Sequence, residues 1–208
     1  MAEDAFHERE AMNTHDAPDK RALRQRLRTE RMALSAPQRM SAAEAIVAGA
    51  NSLPLFAQPG YVAGYWAVRG ELPLHALQMR LSPSQVWCLP VTLADGTLAF
   101  APWRAGDPLR ANRYGIPEPA VEPASLLAPR DMTIVLLPLL GFGRDGSRLG
   151  MGGGYYDRSF AFRQKADAPP ALVGIAYSFQ EVGALHADAW DVRLDAVLTE
   201  REAIVCGR

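Results

Sequence analysis

TIVLLPLLGFGRDGSRLGMGGGYYDR, residues 133–158, contains the most informative signals for the fold. Its first part, residues 133–138, is a continuous apolar run of strand length, typical of a strand buried on both faces of a sheet. A glycine-rich segment follows, and a helix is predicted from Tyr155 to Gln164. Because ligands of open α/β sheets bind beyond the carboxyl ends of the strands, this succession predicts both an α/β fold and a ligand site.

The other segments of the chain predict the rest of the fold around this strand, glycine segment and helix. Asp95-Gly96 is a dipeptide favoured in tight hairpins and indicates one antiparallel pair of strands. Helices that alternate with buried strands predict a single three-layer α/β/α domain, residues 18–208, with a mixed and largely parallel sheet. Residues 1–17 offer no periodic apolar face and are predicted to form a disordered tail. The predicted helices are 19–34, 37–50 and 71–80, the other predicted strands are 61–66, 86–92, 97–103, 172–176 and 196–198, and 106–129 are predicted to be mostly loop.

The bulk composition narrows the classes of function. The 208 residues carry a formal net charge of −1, so no overall field attracts nucleic acid or anionic membranes. No apolar stretch approaches the roughly 20 residues that span a bilayer. The two cysteines, Cys88 and Cys206, lie far apart and outside any redox or metal spacing, which indicates a cytoplasmic protein with reduced thiols. Lysine occurs only as Lys20 and Lys165, so arginine supplies nearly all the positive charge.

The glycine segment is suited to bind phosphate. Glycines at positions 150, 152, 153 and 154 open backbone angles that other residues avoid, so that consecutive amide N–H groups can point into one concavity. The N-terminus of the following helix adds positive potential, and Arg148 could add a bidentate contact to the same oxygens. Asp157 stands in the first helical turn, where a carboxylate either complements the helix dipole or binds a magnesium ion that bridges phosphates.

The segment differs from the two standard nucleotide motifs. Gly141–Gly146 has the Walker-A glycine spacing, but Ser147-Arg148 replaces the Lys-Ser/Thr pair. The later glycines miss the dinucleotide G-x-G-x-x-G spacing, because Tyr155 occupies the last position. Glycine content alone therefore leaves open a tight strand-to-helix turn without a ligand.

Five blocks of the chain, in order and spacing, resemble a known family, the 5-formyltetrahydrofolate cyclo-ligases, also called 5,10-methenyltetrahydrofolate synthetases. The resemblance covers residues 18–204 and implies a fold like that of ribose-5-phosphate isomerase and the CoA transferases. It also implies ATP-dependent conversion of 5-formyltetrahydrofolate to 5,10-methenyltetrahydrofolate, with ADP and phosphate as products and Mg²⁺ as cofactor. The blocks are KRALR (20–24), WAVRGEL (66–72), GIPEP (115–119), RLGMGGGYYDR (148–158) and DVRLDAVLTE (191–200).

The resemblance also assigns roles to individual residues. Lys20 and Arg148 are expected to act on the reacting phosphates, and Asp157 and Asp191 to bind the metal. Some members carry a lysine where this chain has Gly153, so Lys20 and the arginines must neutralise more phosphate charge, with Arg144 and Arg158 as open candidates. The ATP contacts fall on Lys20, Arg24, Arg148, Leu149, Gly150, Met151, Gly152, Gly153, Gly154, Tyr155 and Tyr156, and the folate contacts fall on Trp66, Glu71, Met151, Gly152, Gly153, Gly154 and Tyr155.

The presence of several of these residues can also be explained without a ligand. Lys20 and Arg24 lie four apart, as on any solvated basic helix face. Glu71 is either an acidic residue in a first helical turn or an acceptor for pterin N–H groups.

The rival functions are a folate- or nucleotide-binding regulatory module, and a sugar-phosphate isomerase or CoA transferase with the same fold. In the favoured mechanism a monomeric enzyme lets the formyl oxygen attack the γ-phosphate of ATP before the ring closes.

Overall fold

A computed structural model describes residues 20–166, 168–183, 185, 188 and 190–207. Within these ranges the chain forms four α-helices and eleven β-strands, joined by 3-10 turns and loops. The expected tail, residues 1–17, lies outside the described residues. The helices are α1 (Lys20–Ala33), α2 (Ala36–Ser52), α3 (His75–Gln78) and α4 (Tyr155–Ser159). The strands are β1 (Gly60–Ala63), β2 (Gln85–Thr92), β3 (Leu98–Pro102), β4 (Leu109–Ala111), β5 (Pro117–Pro119), β6 (Met132–Pro138), β7 (Gly141–Phe142), β8 (Arg148–Leu149), β9 (Ala171–Ile175), β10 (Ala196–Leu198) and β11 (Ala203–Val205).

A seven-stranded sheet forms the middle of the fold, in the order β11-β10-β9-β6-β1-β2-β3. The five inner strands run parallel, and β3 and β11 pair antiparallel at the two edges. The predicted mixed and largely parallel sheet is therefore confirmed. The hairpin expected at Asp95-Gly96 joins β2 to β3, with Gly96 at φ +81°. No helix of the described ranges is long and apolar enough to cross a membrane.

Side chains of β6 point alternately into two apolar clusters, one on each face of the sheet. Ile134 and Leu136 pack in the cluster that contains the buried residues of α2 and α3. Val135 and Leu137 pack in the other cluster with Phe160, which follows α4. A strand buried on both faces explains why its sequence is continuously apolar rather than alternating. The sheet therefore has an apolar cluster on each face, and the elements that cover these clusters form the two outer layers of the predicted three-layer fold.

Helix α1 packs on a small ribbon rather than on the main sheet. Its Leu23 and Leu27 form a third apolar cluster with Leu140 and Leu149. The two-stranded ribbon β7–β8, which includes Leu149, leads from β6 to the glycine loop. The packing of α1 therefore sets the position of this helix relative to the glycine loop.

The helix predicted for residues 71–80 is largely wrong, because only α3, His75–Gln78, is helical. The Glu71 side chain accepts a hydrogen bond from the Val68 N–H at 3.0 Å and closes a turn where the first helical turn was expected. Pro73 has no N–H to donate to a helical ladder. Similarly, β1 ends at Ala63, three residues before the predicted end at Trp66.

A two-stranded ribbon, β4–β5, lies within the region predicted as loop. Its turn is held by Asn112 Oδ1, which accepts hydrogen bonds from the N–H groups of Tyr114 and Ile116. The buried Glu118 anchors it to β2, because its Oε1 accepts bonds from the Thr92 N–H and hydroxyl at 3.0 and 2.7 Å. The sequence analysis missed this ribbon because its strands have three residues each and depend on distant contacts.

Substitution of Gly174 by Ala tests the packing of the sheet around β9. A Cβ at this position would lie 2.5 Å from Leu139 Cδ1 and 2.8 Å from Leu194 Cδ1. We expect Gly174→Ala to lower the free energy of unfolding by about 1–3 kcal/mol through overpacking, measured by urea denaturation. Gly207→Ala is the matched control, since no described atom lies within 4 Å of the added carbon. Equal loss of stability in both variants would contradict this packing.

Candidate active site

The glycine loop, defined as residues 150–154, lies beyond the carboxyl end of β6. The ribbon β7–β8 leads into it and α4 follows it. Gly152 and Gly154 have φ values of +89° and +66°, in the left-handed region that glycine adopts at little cost. Helix α4 has only five residues, whereas a helix to Gln164 was predicted. A helix this short adds little dipole, so an anion at this loop would be held by backbone amides and cationic side chains.

Arg158 holds the glycine loop against the β2–β3 hairpin. Its Nη2 donates to the carbonyl oxygens of Gly153 and Gly96, both at 2.8 Å, and its Nε donates to Gly96 at 3.0 Å. A Cβ on Gly154 would lie 2.6 Å from the Arg158 guanidinium, so a side chain there would displace it. Arg144 instead bonds with Glu181 and Glu202. Of the two arginines considered as substitutes for a loop lysine, Arg158 is the one at the loop.

An ion pair between Arg148 and Asp157 closes the base of the glycine loop. The two side chains are 8% and 21% exposed, so water screens the pair weakly. Both residues also bond the main chain of Val192: Arg148 Nε donates to its carbonyl oxygen, and Asp157 Oδ1 accepts from its N–H, each at 3.1 Å. These bonds bring Asp191, the residue before Val192, next to Asp157, although the two are distant in sequence.

Two cationic residues of α1 reach the same region. Arg24 Nε donates to the Gly150 carbonyl oxygen at 2.9 Å. Lys20 Nζ pairs with Asp188 Oδ2 at 2.8 Å, and the Asp188 N–H donates to Asp191 Oδ2 at 2.8 Å. The structure therefore gathers most of the predicted ATP and metal residues around the glycine loop.

The carboxylates at this site fit a magnesium ion that is shared with phosphates. Asp157 makes its contacts through Oδ1, and its Oδ2 has no hydrogen-bond partner within the described residues. No group of three or more His, Cys, Asp and Glu side chains suited to a metal occurs in the described part of the chain. Magnesium usually takes one or two protein carboxylates and completes its shell with water and phosphate oxygens. This donor set therefore suits Mg²⁺ bound with a nucleotide better than a metal held by protein alone.

Glu71 lies in a buried polar cluster near the C-terminal end of α1. The side chain of Arg31, only 1% exposed, approaches it from α1, with Nη2 3.8 Å from Glu71 Oε1. Burial raises the pKa of Glu71, while the Val68 N–H and the charges of Arg31 and Arg69 oppose this rise. Burial, and after it the negative charge of Glu71, raises the pKa of Tyr156 in α4. The Arg31–Glu71 pair and the contacts of Lys20 and Arg24 therefore both involve α1.

Trp66 lies apart from this cluster, although it is on the same loop as Glu71. Its ring packs edge-on against Trp103, with centroids 5.9 Å apart. Both line a cavity of about 1070 Å³ with Trp87 and Met79. No described residue of the glycine loop lines that cavity. Glu71 does not line that cavity either.

Two residues at the tip of the β4–β5 ribbon, Arg113 and Tyr114, contact Tyr155, and the sequence does not predict this contact. Arg113 Nη2 donates to the Tyr155 hydroxyl, and the hydroxyls of Tyr114 and Tyr155 lie 2.7 Å apart. Bonds from Tyr114 and then Arg113 lower the pKa of Tyr155. Both residues directly precede the GIPEP block, but spacing alone does not indicate that the ribbon folds back onto Tyr155.

Comparisons with known proteins agree along most of the chain. The model of the 5-formyltetrahydrofolate cyclo-ligase family matches residues 16–200. A 5-formyltetrahydrofolate cyclo-ligase of Haemophilus influenzae is 33% identical over 183 residues, which cover 84% of this chain and 96% of the relative. The solved structure of a 5,10-methenyltetrahydrofolate synthetase from Aquifex aeolicus aligns with a TM-score of 0.76 at 30% identity, over 91% of this chain and 94% of that one. A second such synthetase, from Mycoplasma pneumoniae, aligns with a TM-score of 0.68 at 26% identity, over 88% of this chain and 99% of that one. The chain therefore belongs to the 5-formyltetrahydrofolate cyclo-ligase family.

Proposed function

We propose that this chain performs the reaction for which its family is named, at a site formed by the glycine loop and the Glu71 cluster. The enzyme converts 5-formyltetrahydrofolate to 5,10-methenyltetrahydrofolate and ATP to ADP and phosphate, with the formyl oxygen leaving in the phosphate. The observation that carries the proposal is the convergence of Arg24, Arg148 and Asp157 on one glycine loop, while Lys20 pairs with Asp188, whose N–H bonds Asp191. Cationic side chains and free backbone amides around such a loop are suited to a triphosphate.

The reaction needs activation, because a formamide is a poor electrophile and hydroxide is a poor leaving group. The formyl oxygen attacks the γ-phosphorus of ATP, the bond to the bridging oxygen breaks, and ADP leaves. Nitrogen 10 then attacks the carbon of the phosphorylated imidate and loses its proton. Phosphate departs with the former formyl oxygen, and the methenyl ring is closed. The protein contributes mainly by holding both substrates in line and by stabilising phosphate charge.

Each set of residues has a role in this scheme. Lys20 and Arg24, both on α1, bind phosphate oxygens. Arg148 supports the glycine loop, and its guanidinium faces the reacting phosphate. Glu71 accepts hydrogen bonds from the pterin N–H groups. Arg158, at the Gly153 carbonyl, supplies the positive charge that a loop lysine would otherwise provide. Met151 and Tyr155 contact the folate, and Leu149, Gly152, Gly154 and Tyr156 complete the nucleotide cradle.

Four finer features belong to the same proposal. Asp157 and Asp191 hold Mg²⁺, which when bound neutralises charge on the phosphates. The enzyme acts in the cytoplasm, as supported by Cys88 and Cys206, which are free and buried. It acts as a monomer, since one copy of the chain already gathers Arg24, Arg148 and Asp157 around the glycine loop. Trp66 belongs to the folate site through the cavity it shares with Trp103.

Oxygen-18 in the formyl group tests the reaction and its first step together. Purified protein with Mg-ATP and labelled 5-formyltetrahydrofolate should form the methenyl product, seen as near-ultraviolet absorbance, and the label should appear in released phosphate. A control without ATP should form no product. Turnover without label in phosphate would contradict attack by the formyl oxygen. ATP binding without turnover would instead favour a regulatory binding module.

Lys20→Ala tests the contribution of α1 to nucleotide binding. We expect the KM for ATP to rise about tenfold, because one charge-assisted phosphate contact is lost. Lys165→Ala is the matched control, since Lys165 is exposed and is the only other lysine of the chain. The role of Lys20 is disproved if the two variants have the same KM for ATP under steady-state conditions.

Asp157→Asn and Asp191→Asn test the magnesium assignment. Each substitution keeps an oxygen that can accept a hydrogen bond but removes the charge, so the Mg²⁺ concentration for half-maximal activity should rise about tenfold. Titration of activity with Mg²⁺ at fixed ATP measures this value. Asp131→Asn, at the exposed turn before β6, should leave it unchanged. Wild-type magnesium dependence in both site variants would refute the assignment.

A further inference from the structure

Arg31 is the one charged residue among the largest fully buried side chains of the described chain, at 1% exposure. Its Nε donates to the Arg69 carbonyl oxygen and its Nη1 to the Leu139 carbonyl oxygen, both at 3.1 Å. Its Nη2 is buried without a hydrogen-bond partner within the described residues. The nearest carboxylate oxygen, Glu71 Oε1, is 3.8 Å from this nitrogen. Two arms of the guanidinium are therefore fixed to the main chain, and the third faces the Glu71 carboxylate.

The two carbonyl contacts determine where the guanidinium lies. The Arg69 carbonyl belongs to the turn before Glu71, and Arg69 itself has φ +51°, a strained value for a residue with a side chain. Leu139 directly follows β6, and its carbonyl oxygen also accepts a bond from Gln180 Nε2 at 2.8 Å. The guanidinium thus joins the turn before Glu71 to the segment from which the glycine loop begins. Because these contacts are to main-chain atoms, the third arm has little freedom to turn away from Glu71.

We propose that Arg31 is a positioning residue for folate: it orients the Glu71 carboxylate and keeps it ionised so that it accepts hydrogen bonds from the pterin ring. This inference rests on the proposed function and extends it to a residue that does not touch the substrate. A buried guanidinium needs an opposite charge nearby, and Glu71 supplies it at the one nitrogen that has no hydrogen-bond acceptor among the described residues. A buried carboxylate, in turn, ionises at a cost unless an opposite charge lies near it.

The surroundings of Glu71 make this charge important. Burial raises its pKa, and the Val68 N–H, Arg31 and Arg69 act in the opposite direction. Loss of the positive charge of Arg31 should therefore raise the pKa of Glu71 further. A protonated Glu71 has one acceptor oxygen fewer for pterin N–H groups, so folate affinity should fall as pH drops through this pKa. The titratable and charged groups near Glu71 are Arg31 from α1, Tyr65 and Arg69 from the segment after β1, Tyr156 from α4, and Tyr177 after β9.

Arg31→Gln removes the charge and keeps N–H donors for the buried carbonyl oxygens. We expect the KM for 5-formyltetrahydrofolate to rise about tenfold, with the KM for ATP changing by less than about twofold. The acidic limb of kcat/KM for folate should move to higher pH. Arg31→Lys keeps the positive charge but loses the planar donor geometry of the guanidinium. The acidic limb of kcat/KM should therefore return to the wild-type pH, while the KM for folate stays raised by about threefold. Arg26→Met is the matched control on α1, because Arg26 is exposed and its ion-pair partner among the described residues is Glu30.

The wild-type enzyme in the same assay separates the two hypotheses. Absence of wild-type turnover would contradict the proposed function. Wild-type turnover together with an unchanged KM for folate and an unchanged acidic limb in a folded Arg31→Gln variant would overturn the role of Arg31. Circular dichroism establishes whether each variant is folded. If Arg31→Gln does not fold, Arg31→Lys carries the test, and a wild-type KM for folate in that variant would also overturn the proposal.

Discussion

Arg148 and Asp157 pair at the base of the glycine loop, and both also bond the main chain of Val192. This arrangement joins three parts of the chain that are far apart in sequence: the end of the β7–β8 ribbon, the start of α4, and the segment after residue 190. Together with the bonds of Arg24 to Gly150 and of Arg158 to Gly153, it fixes the glycine loop, whose own residues have hardly any side chains with which to pack. The low exposure of the pair makes it costly to break, because an uncompensated charge would remain behind.

Helix α1 organises the other half of the site. Lys20, Arg24 and Arg31 recur at spacings of four and seven residues, which places them on one face of a helix. At one end of this face Lys20 and Arg24 reach the segments around the glycine loop. At the other end Arg31 enters the interior and faces Glu71. The helix therefore connects the part of the site assigned to the nucleotide with the part assigned to the folate.

Elements that depend on local pattern were predicted well, and those that depend on distant contacts were not. The parallel strands around β6 are recognisable because a strand buried on both faces must be continuously apolar. The helix expected at residues 71–80 failed because the Glu71 side chain turns back to the Val68 N–H, and Pro73 cannot continue a helical ladder. The β4–β5 ribbon was missed because Glu118 and Asn112 hold it through contacts to β2 and to its own turn.

The sequence by itself determined the α/β class, the position of the glycine loop after a buried strand, and the family, because apolar periodicity and short motifs are properties of neighbouring residues. Only the tertiary structure decided which side chains meet. Arg31 was part of a basic helix pattern in the sequence, and its burial against Glu71 follows from how α1 packs on the β7–β8 ribbon. Asp157 and Asp191 likewise become neighbours only through Val192. Charges approach one another across such distances only when packing of the whole chain supports the contact, and no spacing along the sequence encodes it.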